Sequence, residues 1–405
     1  MLGRLGYGME AGLRREVYLA RLAVIAIFFI NGFGFANWVV RIPAVQENVG
    51  IGAGALGFGL LGVAVGSLVS MPTIGWLVSR FGSRPVTLVT LFVFSALLPL
   101  PALAETLFTL FGALFLLGLA FGGLDVAMNA HAVAVEKGYG RAIMSSFHAF
   151  FSLGGLVGAV VGGFVASFGV GVSAHLVGIA GLLLAVSVLA TRHLLPASED
   201  ADSAQDGAER SPAFARPTKG LLGLGVIAFC ILVGEGAMAD WSAVYLRGTL
   251  GTSEGFAAAG FAVFSLTMTI GRFSGDWITN RTGAGTIVRA SAAIAAVGLA
   301  VGLIGGTPVF ALIGFGCAGL GFAVIFPATL SAAGHAGDLA PGPAVAAIAT
   351  AGYFGFLVGP PSIGFAAELF GLGGALFIVV TLSAVVVVLA GNVEKNGKKP
   401  TSPAD

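Results

Sequence analysis

The chain repeats itself once, in order. Ala36-Asn37-Trp38 returns as Ala239-Asp240-Trp241, 203 positions on in a chain of 405 residues. Arg80-Phe81-Gly82 returns as Arg281-Thr282-Gly283. Gly118-Leu119-Ala120-Phe121 returns as Gly319-Leu320-Gly321-Phe322, and Leu156-Val157-Gly158-Ala159 as Leu357-Val358-Gly359-Pro360, all three 201 positions on. One ordered repeat over the whole length predicts two copies of one structural unit. Each copy is a series of apolar runs, so the expected product is an all-α membrane protein of twelve transmembrane helices. They form two pseudo-symmetric, parallel six-helix halves of a transporter.

The apolar runs need a solvent other than water. The chain is 57% hydrophobic and 10% charged, with a mean hydropathy of +0.98, whereas soluble domains carry about 25% charged residues. Its 64 glycines suit close approach of helices in lipid, where little hydrophobic drive pushes helices together. The net charge of +1 gives no reason to expect nucleic acid as a partner. Cys230 and Cys317 lie in different halves inside apolar runs, and nothing around them resembles a metal site. The stretch to Arg21 lacks a small-residue cleavage site after a short apolar core, so the first run is expected to be a retained span.

A spanning helix needs about 20 mostly apolar residues. That rule predicts spans near 19–43, 53–78, 85–104, 106–130, 142–166 and 172–193, then 220–246, 255–279, 286–305, 308–332, 343–368 and 372–391. The halves are therefore 1–193 and 220–391, joined by a polar linker over 194–219 and followed by a tail over 392–405. On this plan only Arg41 and Arg247, of the 20 Lys and Arg, fall at one face. The others, among them Arg80, Arg84, Arg272, Arg281 and the basic residues of the linker, fall at or near the opposite one. The positive-inside rule makes that face, and both termini, cytoplasmic. The linker composition, opening on Pro196-Ala197-Ser198-Glu199-Asp200, is that of a flexible tether.

Twelve spans, a central linker and a twofold repeat resemble the major facilitator superfamily. Gly75-Trp76-Leu77-Val78-Ser79-Arg80-Phe81-Gly82-Ser83-Arg84 is similar to that superfamily's G-x-L-x-D-R-x-G-R loop, with Ser79 in the place of its Asp. Asp125-Val126-Ala127-Met128-Asn129-Ala130-His131, Ser146-Phe147-His148-Ala149-Phe150-Phe151-Ser152 and Ala36-Asn37-Trp38 with Arg41-Ile42-Pro43 resemble the fucose-permease branch. Its bacterial YbjJ/MosC-like inner-membrane members are the nearest in kind. The resemblance implies alternating access, and it implies a tie between Asp125 and proton coupling. The first-helix acid of fucose permeases has no counterpart in Asn37-Trp38-Val39-Val40.

Charges inside a bilayer are costly, roughly 3 kcal/mol each on insertion scales, so each one retained is a candidate. Asp125, with Asn129 at i+4 on one helix face, reads as a proton-binding acid or as a packing hydrogen bond toward the Arg141 loop. Glu235, between Gly234 and Gly236, has nothing near it in sequence to neutralise it. It reads as a coupling acid or as half of a buried pair. His148, with Ser152 at i+4, reads as a charge switch or a neutral packing partner. Asp240 and Arg41 both lie toward the outer face, where they could pair as a gate; Asp240 reads otherwise as a substrate-site residue or as an interfacial solvated acid. Asn31, Asn37, Trp38, Trp241 and Tyr353, on helices one, seven and eleven, offer amides for hydroxyls and aromatic faces for sugar rings. The two Trp serve equally as interfacial anchors. Arg272 and Asp276, at i and i+4 near the inner end of helix eight, read as a gate or structural pair. Arg80, Arg84 and Arg281 belong to the loops.

These residues predict a secondary active transporter, not an enzyme. There is no Gly-rich phosphate loop followed by Lys, and neither cofactor nor metal is expected; a proton gradient would supply the energy. The preferred reading is proton-coupled uptake of a small neutral solute such as a sugar, a polyol or a related metabolite, by a monomer in a bacterial inner membrane. A proton-antiporting exporter of drugs or metabolites stands as the alternative, and a non-transporting membrane receptor as a lesser one. The helix-five glycines Gly154, Gly158, Gly162 and Gly163 resemble the exporters' antiporter motif, but Ala159 stands where that motif has Pro.

Overall fold

The computed structural model describes residues 2–140, 143–196, 221–336 and 341–397, without the side chains of 2–14, 145, 276, 280, 341, 342 and 397. Arg141, the linker from 197 and the tail from 398 lie outside the described residues. Among those described, every regular element is a helix. The first half contributes α1 (Leu2–Val39), α2 (Ile42–Val49), α3 (Ala53–Phe81), α4 (Ser83–Leu97), α5 (Leu107–Tyr139), α6 (Met144–Ser167) and α7 (Val172–Ala190). The second contributes α8 (Leu222–Val244), α9 (Glu254–Ala257), α10 (Ala259–Thr282), α11 (Ala284–Ile304), α12 (Pro308–Phe322), α13 (Ile325–His335), α14 (Pro341–Leu389) and α15 (Gly391–Gly397).

Eleven of the described stretches are long and apolar enough to cross a membrane. The last of them is two spans. The 49 residues of α14 bend at Gly371, whose φ of 69° and ψ of 160° are not helical. The twelve expected spans are therefore present, with boundaries moved by a few residues. Large apolar side chains face outward along them, Phe108 at 80% exposure and Leu369 at 77% among them, as lipid-facing helices require.

The backbone repeats along with the sequence. Gly50, Gly82 and Gly169 have φ of 69°, 81° and 70°, and Gly251, Gly283 and Gly371 at the matching places have 65°, 84° and 69°. Left-handed torsions of this kind end a helix at no cost only in glycine. Thr106 caps α5 by accepting from the Thr109 N–H at 3.2 Å. Thr307, the matching residue, caps α12 by accepting from the Phe310 N–H at 3.5 Å. Spans one and seven also break alike. The first stops at Val39 and resumes at Ile42, with Pro43 in the new first turn, while α8 passes into a single π-turn, Tyr245–Thr249. Such turns are common where a helix carries a functional group.

Packing divides the chain into two compact units that differ from the sequence halves. The first unit holds the chain up to Trp38, Gly62–Val161 and α7. The second holds the described second half together with Val39–Leu61 and Gly162–Gly169. Glycines bring the helices close in each. In the first unit a Cβ on Gly62 would stand 2.7 Å from the Phe111 carbonyl oxygen, and one on Gly158 would stand 2.5 Å from that of Phe33. In the second, one on Gly57 would stand 2.5 Å from the Pro360 carbonyl oxygen. The helix-five stripe is thus a packing surface: Gly154 and Gly158 receive α1, and Gly163 receives Ala258.

Candidate functional site

In the first unit, candidate polar side chains sit on α1, α5 and α6. Asn129 Nδ2 donates to the Asp125 carbonyl oxygen at 2.8 Å and to its carboxylate at 3.1 Å. The expected i, i+4 pairing is therefore present on α5, with both residues half-buried. Asn31 on α1 is fully buried and directs Nδ2 at Met128 Sδ, 3.6 Å away on α5. Its Oδ1 is buried with no hydrogen-bond partner. His148 on α6 meets the Phe28 ring of α1 edge-on, centroids 5.3 Å apart. The Ser152 hydroxyl donates to the His148 carbonyl oxygen at 3.3 Å.

The other candidates of this unit have structural surroundings. Asn37 Nδ2 donates to the Phe33 carbonyl oxygen at 2.8 Å, and its Oδ1 lies 3.0 Å from His175 Nε2 on α7. Trp38 is 1% exposed. Both are buried, Asn37 through its contact with α7. His175, apolar on both sides in sequence, gives no sign of this role. His131 is likewise enclosed: its Nε2 accepts the Leu195 N–H at 3.2 Å, so Nδ1 carries the proton and donates to Ser83 Oγ at 2.6 Å. Arg80, in the last turn of α3, lies over the rings of Trp76 and Phe81, 5.7 Å from each centroid. Arg84 sits in the first turn of α4.

In the second unit Glu235 is not alone. Arg272 Nη2 lies 3.7 Å from Glu235 Oε2, joining α8 to α10 well inside both helices. The contact joins Glu235 to a basic group, as its buried-pair reading has it. The side chain of Asp276, the partner expected for Arg272 near the inner end of this span, lies outside the described residues. The pairing is hidden in the sequence because the two residues are 37 positions apart, while helix periodicity relates only neighbours within one span. Gly234 makes room for the Phe322 ring and Gly236 for that of Phe356, so the acid is set between close-packed turns. Tyr353 on α14 is half-buried, its ring 6.3 Å from Phe356.

Asp240 is half-buried on α8 and makes no hydrogen bond or ion pair among the described residues. Arg41, the partner expected for it, forms its ion pair with Glu254 instead. The backbone turn at Val40–Arg41 carries the guanidinium to the head of α9. Trp241 is fully buried with its indole N–H unpartnered. Arg281 stacks on Trp277 at 3.9 Å, at the position in α10 that Arg80 holds in α3.

Long apolar helices in two repeated sets, with a carboxylate and a guanidinium facing one another inside two of the spans, are those of a membrane transporter. Residues 24–341 match the Major Facilitator Superfamily. An MFS-type transporter of Yersinia pestis is 37% identical over 384 residues, covering 94% of this chain and 96% of that one. The membrane protein MosC of Rhizobium meliloti is 32% identical over 366 residues, covering 90% and 88%. The chain belongs to the major facilitator superfamily. Among solved structures, the nucleoside transporter NupG superposes with a TM-score of 0.69 at 14% identity, over 94% of this chain and 99% of that one. A variant of the Escherichia coli fucose:proton symporter FucP superposes at 0.60 and 18%, over 93% and 98%. These similarities are of fold.

Proposed function

We propose that the protein is a proton-coupled importer of a small neutral solute, a sugar, polyol or related metabolite, working by alternating access. The observation that carries this reading is the Glu235–Arg272 pair at 3.7 Å inside the membrane spans. A carboxylate and a guanidinium at that separation attract one another without closing a full hydrogen bond. Protonating Glu235 removes the attraction and releases Arg272 from Glu235, so that it can turn a donor toward a solute hydroxyl. Losing the proton restores the pair and withdraws that donor. Proton occupancy and solute binding are thereby linked through one side chain.

The pair itself is neutral as a whole, which suits a neutral solute better than an ionic one. Asp125 and Asn129 offer a second acid with a hydrogen-bonding amide on α5. Two proteins of similar fold carry solutes of the same chemical kind, fucose with protons in one and nucleosides in the other. The proposed setting is a bacterial inner membrane, with both termini cytoplasmic, a monomer as the working unit and the proton gradient as the only energy source.

The test is proton movement in proteoliposomes on addition of sugars, polyols, nucleosides or lipophilic cations. Internal acidification with a hydroxylated solute, absent in Glu235→Gln, supports the reading. Proton countermovement with lipophilic cations and silence with every hydroxylated solute replaces it with an exporter.

A further inference from the structure

Two exposed helix faces match residue for residue across the repeat. On α3 the face carries Val69, Pro72, Trp76 and Arg80. On α10 it carries Ile270, Phe273, Trp277 and Arg281, each 201 positions on. All of these side chains are exposed, and steps of three and four residues keep each set on one side of its helix. Trp76 is 56% exposed and Trp277 59%, while Trp38 and Trp241, the other tryptophans of the chain, are buried. Each arginine stands in the last turn of its helix, over its tryptophan. Arg80 lies 5.7 Å from the ring centroids of Trp76 and Phe81, and Arg281 lies 3.9 Å from that of Trp277.

An aromatic face attracts a cation within about 6 Å of its centre without using the cation's hydrogen bonds. Among the described residues neither arginine donates a hydrogen bond or meets a carboxylate. Ser79, beside Arg80, brings no charge, and its hydroxyl donates to the Trp76 carbonyl oxygen at 2.8 Å. Two guanidinium groups are therefore held in place with their charge and donors unmatched. The order along each face tells what lies against it. Apolar side chains come first, where lipid tails are the solvent. The tryptophan follows, at the place such rings take at the headgroup boundary. The arginine is four residues further, about 6 Å along the helix axis, which carries it past the tails to the depth of the phosphates. Its planar fork of N–H donors matches a phosphate in geometry as well as in charge.

We infer that Trp76–Arg80 and Trp277–Arg281 are two sites of one kind, each taking the phosphate of an anionic phospholipid from the leaflet at the basic face of the chain. The occupant is a lipid and not a free phosphate, because the apolar face runs straight into the site and gives the acyl chains their place. The lipid is anionic because each arginine brings a positive charge with no acid to offset it. That charge suits a headgroup of net negative charge better than a zwitterion. Each site lies within one of the two compact units. The inference needs neither the direction of transport nor the identity of the solute.

The experiment is tryptophan quenching on the purified full chain in phosphatidylcholine nanodiscs. A minor share of the lipid is either brominated phosphatidylglycerol or brominated phosphatidylcholine. Bromine quenches at near contact, and Trp76 and Trp277 are the tryptophans exposed to lipid, so the signal reports the lipid at these two places. At equal share, stronger quenching by phosphatidylglycerol is expected. Arg80→Gln together with Arg281→Gln should abolish that excess, and each alone should remove part of it. Quenching by phosphatidylcholine should stay as in wild type, which shows that the folded chain still presents both rings. Arg289→Gln alters an exposed arginine whose Nε donates to the Val387 carbonyl oxygen at 3.4 Å, and it should leave the excess intact. Equal quenching by the two lipids in wild type would overturn the inference. So would an excess that survives the double substitution. An equal loss in Arg289→Gln would also overturn it, by making net charge at this face the cause in place of the stacked arginines.

Discussion

Asn37 and His175 meet at 3.0 Å and tie the first span to the sixth, whereas Asp240, the residue that the repeat sets against Asn37, makes no such tie. The places in the last span that correspond to His175 are Leu376 and Phe377, both apolar. The two halves thus share a scaffold and differ in chemistry at this point. One amide was retained as a bracket between helices. Its counterpart is a half-buried carboxylate that makes no hydrogen bond or ion pair among the described residues.

The bracket should be measurable as stability. Replacing His175 with Leu leaves the buried Asn37 Oδ1 unsatisfied, at a cost of about 1–3 kcal/mol. A lower midpoint of thermal unfolding in detergent is expected, with any remaining folded protein transporting as before. An unchanged midpoint would mean that the contact is not worth what its burial implies.

Asp240→Asn should behave in the opposite manner. No partner is lost, so the unfolding midpoint should hold within the range typical of a substitution that breaks no named contact, about 0.5 kcal/mol. On the importer reading, with Asp240 as a site residue, solute uptake should fall at least tenfold. Uptake equal to wild type would return Asp240 to the role of an interfacial acid.

Glu235→Gln and Arg272→Gln test the linkage from its two ends. In Glu235→Gln, exchange of solute down its own gradient should persist while accumulation driven by a pH gradient is lost. In Arg272→Gln an unpaired carboxylate is left in mid-span, so both binding and folded yield should suffer. The double substitution should recover yield but not proton-driven accumulation, because removing both charges is milder than removing one. Equilibrium solute binding and accumulation, measured side by side, separate these outcomes.

Helix approach in the first unit can be probed through Gly158. A side chain there would run into the Phe33 carbonyl of α1. Gly158→Val should cost about 1–3 kcal/mol by overpacking, seen as reduced folded yield, while a substitution at Gly178, where a Cβ meets nothing within 4 Å, should be neutral. Equal yields from the two variants would show that α6 can move away from α1 freely.

The spans, their number and their pairing into halves are legible because each is a local property: length, hydropathy and a repeat that any reader of the chain can align. The i, i+4 pair Asp125–Asn129 is legible for the same reason, since helix geometry alone brings it together. What lies hidden are contacts between spans. Nothing in the sequence around Glu235 points to Arg272, nothing around Arg41 points to Glu254, and His175 lies in an unremarked apolar run. Trp38 and Trp241 read as cavity or interface residues because aromatic character is visible in sequence, while the face of the helix that carries them is not. Apolar residues around the whole circumference of a membrane helix, on lipid-facing and packed faces alike, remove the amphipathic pattern that would distinguish those faces.

The break at Gly371 has a consequence for which way the end of the chain points. Without it, the 49 residues of α14 would form one rod of about 70 Å at 1.5 Å per residue, more than twice the roughly 30 Å of a bilayer's hydrocarbon core. The chain would cross once where it now crosses twice, and an even count of crossings would become odd. The side of the membrane on which the C-terminus emerges is therefore decided by a single pair of backbone torsions, in a residue with no side chain to mark it.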